Sequence, residues 1–111
     1  MLNVRIENDI LIVQPNIERL DASVAVDFKE KMADLIKRGH SMIILNLSVV
    51  EFIDSSGLGS IVSSLKTIGR NGDLVLCGIN RNIMSMFKLT RMDRVFRIFS
   101  SEGEAISLLS K

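Results

Sequence analysis

An acidic residue, two hydroxyls and two glycines fall together in Asp54-Ser55-Ser56-Gly57-Leu58-Gly59, directly after the apolar pair Phe52-Ile53. A hydroxyl beside a carboxylate could act as a nucleophile, cap a helix or accept a phosphoryl group. A nucleophile needs a base within hydrogen-bond reach. The only histidine is His40, in the turn-like run Arg38-Gly39-His40-Ser41, which reads as an exposed turn and not as part of a triad. Asp54-Ser55-Ser56-Gly57 also departs from the Gly-x-Ser-x-Gly elbow of serine hydrolases. A phosphoacceptor has a simpler requirement. The group brings about −1.5 to −2 charge and three acceptor oxygens, and a helix N-terminus favours an anion by about 0.3–1 kcal/mol. Phosphate on Ser55 or Ser56 would sit beside such amides and beside the repelling charge of Asp54. It would change what binds there more than whether the chain folds.

The motif lies between two strong patterns. Met42-Ile43-Ile44-Leu45-Asn46-Leu47 is too apolar for a half-exposed strand and predicts a central one. Leu58, Ile61, Val62, Leu65 and Ile68 recur at helical spacing, and Gly69, Asn71 and Gly72 stop that helix. Ser55 or Ser56 could serve as its N-cap. Gly57 and Gly59 are poor choices for helix stability, at about 1 kcal/mol each against Ala. They suit a place where another backbone, or a partner's side chains, come close.

Upstream, Val4–Ile6 and Ile10–Val13 predict a β-hairpin closed by Pro15, followed by a loop from Asn16 to Leu20. Asp21 is placed to cap a helix over Ala22–Lys37, with Ala25, Phe28, Met32, Leu35 and Ile36 on one face and Gly39 at its end. Downstream come a strand at Leu74–Cys77, a short helix at Ile83–Leu89, a strand at Val95–Phe99 and a helix at Glu102–Leu109 capped by Ser101. The predicted order is β-β-α-β-α-β-α-β-α. It implies an α/β fold with a mixed sheet, an initial hairpin and right-handed crossovers. No repeat or linker divides residues 1–111, and a single domain is expected.

The 111 residues are 47% hydrophobic and carry a net charge of +1. This balance gives no support to nucleic-acid binding, and no apolar run is long enough to span a membrane. One cysteine and one histidine exclude the usual Cys/His zinc site, and no cofactor is expected. Cys77 reads as core packing. The first residues alternate like a strand, and the expectation is a cytoplasmic protein with nothing that demands more than a monomer. Met84, Met86, Phe87, Leu89 and Met92 are too many to face inward from one short helix and suggest a secondary contact patch. Lys88, Arg91, Arg94 and Arg97 form a polar face suited to an acidic partner.

The run Phe52-Ile53-Asp54-Ser55-Ser56-Gly57-Leu58-Gly59, the chain length and the order of elements resemble the anti-sigma factor antagonist family, single STAS domains of bacterial partner switching. Arg19-Leu20-Asp21 resembles the family's Gly-x-Leu-Asp before the first helix, with Glu18 where the family usually has Gly. The resemblance covers the whole chain. It implies a regulatory protein and not an enzyme. Its partner would be an anti-sigma factor that is also a serine kinase with a Bergerat-type ATP site. It implies Ser55 as the phosphoacceptor and Asp21, Asp54, Ser55, Ser56, Gly57, Leu58 and Gly59 as partner-binding positions. Phosphorylation would break the complex, and a metal-dependent serine phosphatase would restore it. The competing reading is a non-switching STAS scaffold or a transporter-accessory subunit. The two differ in whether Ser55 is modified.

Overall fold

A computed structural model of the chain describes residues 1–110. Strands β1 (Leu2–Glu7) and β2 (Ile10–Pro15) pair antiparallel through Asn8 and Asp9. Both turn residues take positive φ, 54° and 64°, as a type I′ hairpin demands and as Asn and Asp tolerate. A short strand β3 (Arg19–Leu20) leads into helix α1 (Ala22–Lys37). Then follow β4 (Met42–Asn46), β5 (Phe52–Ile53), α2 (Ser55–Ile68), β6 (Asp73–Cys77), α3 (Arg81–Leu89), β7 (Ile98–Phe99) and α4 (Glu102–Leu109). The main sheet has the order β1-β2-β4-β6-β7, parallel from β2 onward. This is the expected mixed α/β sheet with its initial hairpin.

Alternation along the strands divides the core. Leu11, Val13, Ile43, Leu45, Leu74 and Leu76 pack with Phe28 and Met32 of α1, Leu58 and Ile61 of α2, and Ile83 and Phe87 of α3. Ile10, Ile12, Ile44, Val75 and Cys77 face the other way, toward Ala105, Ile106 and Leu109 of α4. Burying each Leu or Ile stabilises by about 1.5–3 kcal/mol, so the central strands are apolar on both faces. Cys77 is part of that packing, and burial pushes its thiol up to about 11, with the Glu102 charge adding to the effect. Helix α4 is tied to the sheet by Glu102, which accepts 2.6 Å hydrogen bonds from Arg5 Nη2 and Asn46 Nδ2. Gly39, at φ 104°, turns the chain after α1, its amide donating to Ile36 O.

Three expectations need correction. Arg19–Leu20 is not loop but pairs in parallel with Phe52–Ile53 as a second, two-stranded sheet. The pairing holds this chain extended, and because its partner lies more than thirty positions away no local pattern reveals the contact. The last strand begins at Ile98 and not at Val95. Arg91 adopts a left-handed conformation, φ 64°, and starts a 3₁₀ turn over Met92–Arg94 that keeps Val95 out of the sheet. Helix α3 starts two residues early, at Arg81, because the Asn80 side chain caps it by accepting from Ile83 N at 2.8 Å. Of the late apolar cluster, Phe87 is fully buried and Leu89 is 85% exposed.

Candidate functional site

The small sheet positions the site. β3 ends at the start of α1 and β5 ends at the start of α2. Pairing Leu20 with Ile53 therefore brings both helix N-termini to one corner. Asp54 is the N-cap of α2: Oδ1 accepts from Gly57 N at 2.9 Å. Its other oxygen, Oδ2, accepts from Ala22 N at 3.1 Å, the first amide of α1. One carboxylate thus serves two helix ends, each carrying about half a positive charge. The structure corrects the expectation that Ser55 or Ser56 caps α2. Asp54 takes that role, and both serines are exposed on the first turn.

Asp21 caps α1, its Oδ1 accepting from Ser23 N at 3.0 Å and from Ser23 Oγ at 2.6 Å. Arg19 Nε approaches its Oδ2 at 3.5 Å. The Ser23 hydroxyl holds Asp21 below the usual carboxylate range, against an opposing effect of burial, with the Ser23 amide and Arg19 adding to it. Arg19 also stacks over the Phe52 ring, 4.1 Å from its centre. Nearby, Glu18 pushes the Glu51 carboxyl above its ordinary value by hydrogen bonding and charge repulsion. The rim of the corner is therefore acidic around one exposed aromatic ring, Phe52 being 41% exposed.

The two glycines do different things. A Cβ on Gly57 would lie 2.0 Å from Leu20 O, so α2 crosses β3 at a distance only glycine allows. Gly57 and Leu58 are buried and shape the corner from beneath. A Cβ on Gly59 would meet nothing within 4 Å, and Gly59 is exposed. It opens onto a groove of about 300 Å³ between α1 and α2, lined by Ala25, Val26, Lys29, Ser56, Ser60 and Ser63. Val26 is 67% exposed there. Its place off the apolar face of α1, together with Gly59 in α2, is the sequence signal for this groove. Ser60 and Ser64 are buried but satisfied, donating to Gly57 O at 2.6 Å and Ser60 O at 2.9 Å.

Of the residues predicted from sequence, Asp21, Asp54, Ser55 and Ser56 gather at this corner, and Gly59 faces outward one turn along. His40 is half-buried after the C-terminal end of α1. Sixteen helical residues separate that end from the corner, about 24 Å at 1.5 Å per residue, so no Ser-His pair forms across it. Among the described residues, no group of three or more His, Cys, Asp or Glu side chains is placed to hold a metal. No helix among them is long and apolar enough to cross a membrane. The corner offers two exposed hydroxyls, two helix N-termini and a fixed carboxylate, with His40 far from it.

The STAS domain model matches residues 1–105. A Thermotoga maritima protein described as a putative anti-sigma factor antagonist is 36% identical over 108 residues, covering 96% of this chain and 95% of its own. The crystal structure of a putative anti-sigma factor antagonist from Thermotoga maritima superposes with a TM-score of 0.93 at 33% identity, over 99% of this chain and 95% of that one. The Bacillus cell fate determinant SpoIIAA in its phosphorylated form shares the fold, with a TM-score of 0.74 at 19% identity, over 98% of this chain and 99% of that one. With a STAS match over residues 1–105 and relatives more than 30% identical along nearly its whole length, the chain belongs to the STAS-domain anti-sigma factor antagonists, a family of regulatory proteins and not of enzymes.

Proposed function

We propose that this protein is a phosphorylation-controlled antagonist whose unmodified form binds an anti-sigma factor serine kinase with a Bergerat-type ATP site. Ser55 is the acceptor. The observation that carries this reading is the division of labour at the corner: Asp54 caps α2 and also holds the Ala22 amide of α1, Asp21 caps α1, and the exposed hydroxyls of Ser55 and Ser56 are left for chemistry with a partner, Ser55 being the one the family resemblance selects. The partner packs over Asp21, Asp54, Ser55, Ser56 and Gly59, with Gly57 and Leu58 supporting that surface. Phosphate on Ser55 gains from the helix ends but faces Asp54 and Asp21, and it places a doubly charged group where the kinase packs. The complex breaks while the fold persists, and a metal-dependent serine phosphatase resets the switch. A relative of the same fold is known in a phosphorylated form, which supports the reading. The protein works as a cytoplasmic monomer in this scheme.

The test compares Ser55→Asp with Ser55→Ala. Both should stay within about 0.5 kcal/mol of the parent in stability, since the hydroxyl caps nothing. Ser55→Asp should bind the kinase far more weakly, and Ser55→Ala should bind and resist release by ATP. Equal affinity of the two variants contradicts the mechanism.

A further inference from the structure

Charge is unevenly distributed along this nearly neutral chain. Residues 81–97 carry five Lys or Arg against one acidic residue, Asp93, whereas the remainder carries nine against twelve. The fold gathers that basic segment around a groove of about 500 Å³ lined by Met84, Lys88, Asp93, Arg94, Val95 and Ile98, among others. Met84 and Lys88 stand one turn apart on a flank of α3. The other flank, Asn82, Ile83 and Met86, faces β5. The groove therefore shares no residue with the Ser55 corner.

Its chemistry is amphipathic. Met84, Val95 and Ile98 supply apolar floor, and Val95 is 50% exposed. Lys88 and Arg94 on the rim, and Arg91 beside them, make no salt bridge among the described residues, whereas Arg97 is paired with Asp73 at 3.0 Å. Val95 is out of the sheet because of the left-handed Arg91 and the 3₁₀ turn that follows it. Asp93 and Arg94 of that turn line the groove together with Met84 and Lys88 of α3.

We propose that this groove is a second docking surface, which takes an acidic amphipathic helix of a partner protein. A helix presents apolar side chains at i, i+3 and i+4 to such a floor, and flanking Asp or Glu would meet Lys88, Arg91 and Arg94. Charge complementarity of this kind sets partner choice and encounter rate. Nucleic acid fits less well. The rest of the chain is net acidic; of the two rings in the lining, Phe96 is 3% exposed and packed edge-on against Phe87, and Phe99 is half-buried against the α4 side of the sheet, so no fully exposed ring is presented for a base.

The test is an NMR titration of the full chain with an amphipathic helical peptide of about 14 residues, built from Leu at i, i+4 spacing and Glu on its flanks. Shifts should concentrate on Met84, Lys88 and Arg94–Ile98. Lys88→Glu/Arg94→Glu should weaken binding about tenfold or more. The control Lys66→Glu/Arg70→Glu, which reverses two exposed cations elsewhere with the same change in net charge, should leave it unchanged. No shifts at millimolar peptide overturn the proposal, as do equal shifts with a Lys-for-Glu peptide or equal loss in the control. Tighter binding at these residues by an oligo-dT strand, or by phosphatidylserine vesicles, overturns the assignment to a protein helix. Ser55 phosphorylation is read separately and does not depend on the outcome.

Discussion

Replacing Gly57 by Ala and Gly59 by Ala should change stability in opposite directions. Both residues lie in α2, where Gly is about 1 kcal/mol worse than Ala on backbone grounds. At Gly59 the new methyl meets nothing within 4 Å, so that gain is realised and the melting temperature rises by a few degrees. At Gly57 the methyl would stand 2.0 Å from the carbonyl oxygen of Leu20, where ordinary contact begins at 3.4 Å. The obstacle is backbone, held by the β3–β5 pairing, and cannot rotate away. Overpacking of this kind costs about 1–3 kcal/mol and more when backbone must shift. Set against the propensity gain, a net loss of about 2 kcal/mol is expected, lowering the melting temperature by roughly 6–12 °C for a chain of this size. Movement of β3 should also lengthen the Ala22 N to Asp54 Oδ2 bond, read as a shift of the Ala22 amide resonance. Urea and thermal melts of the two variants decide it. A Gly57→Ala protein as stable as Gly59→Ala would refute the close crossing of α2 over β3.

Asp54→Ala should cost about 1–3 kcal/mol, because it strips a cap from α2 and leaves the Ala22 amide of α1 unpaired. Ser55→Ala and Ser56→Ala should stay within about 0.5 kcal/mol of the parent, and a serine variant as damaging as Asp54→Ala in urea melts would contradict the capping scheme. Acid should loosen α4. The Arg5 hydrogen bond, opposed by burial and helped by Asn46 and the Arg5 charge, holds Glu102 below its ordinary value. Its contribution is therefore complete above the usual carboxylate range and is lost as pH falls through that lowered pKa. The difference in urea midpoint between the parent and Glu102→Gln should be constant above pH ~5 and shrink below it. A difference unchanged into strong acid would show that the carboxylate charge is not what anchors the helix.

Much of this fold is visible in the residues themselves. Sixteen residues from Ala22 carry a clean apolar stripe with Asp21 before it and Gly39 after it, and α1 has those limits. The apolar runs at Met42 and Leu74 are long enough to demand burial on both faces, and both are central strands. The β3–β5 pair was hidden because two-residue strands have no periodicity to read. Its partners are joined only by the fold. That hidden pairing is also what makes the site, since it brings two helix starts to one carboxylate. The identity of the cap was illegible for another reason. Asp54, Ser55 and Ser56 are all good caps, and the choice depends on where β5 releases the chain. The Arg91 turn that ends the expected strand at Val95 gives no sequence signal, because Arg is not a residue that favours positive φ.

In the proposed mechanism the hydroxyl of Ser55 is the switch. Its most direct test is to incubate the protein with ATP and its cognate kinase and to locate the added phosphate by peptide mass spectrometry. Modification is expected at Ser55 alone, with loss of the kinase complex in step with it. Phosphate on Ser56 or elsewhere, or none in the presence of an active kinase, would contradict it.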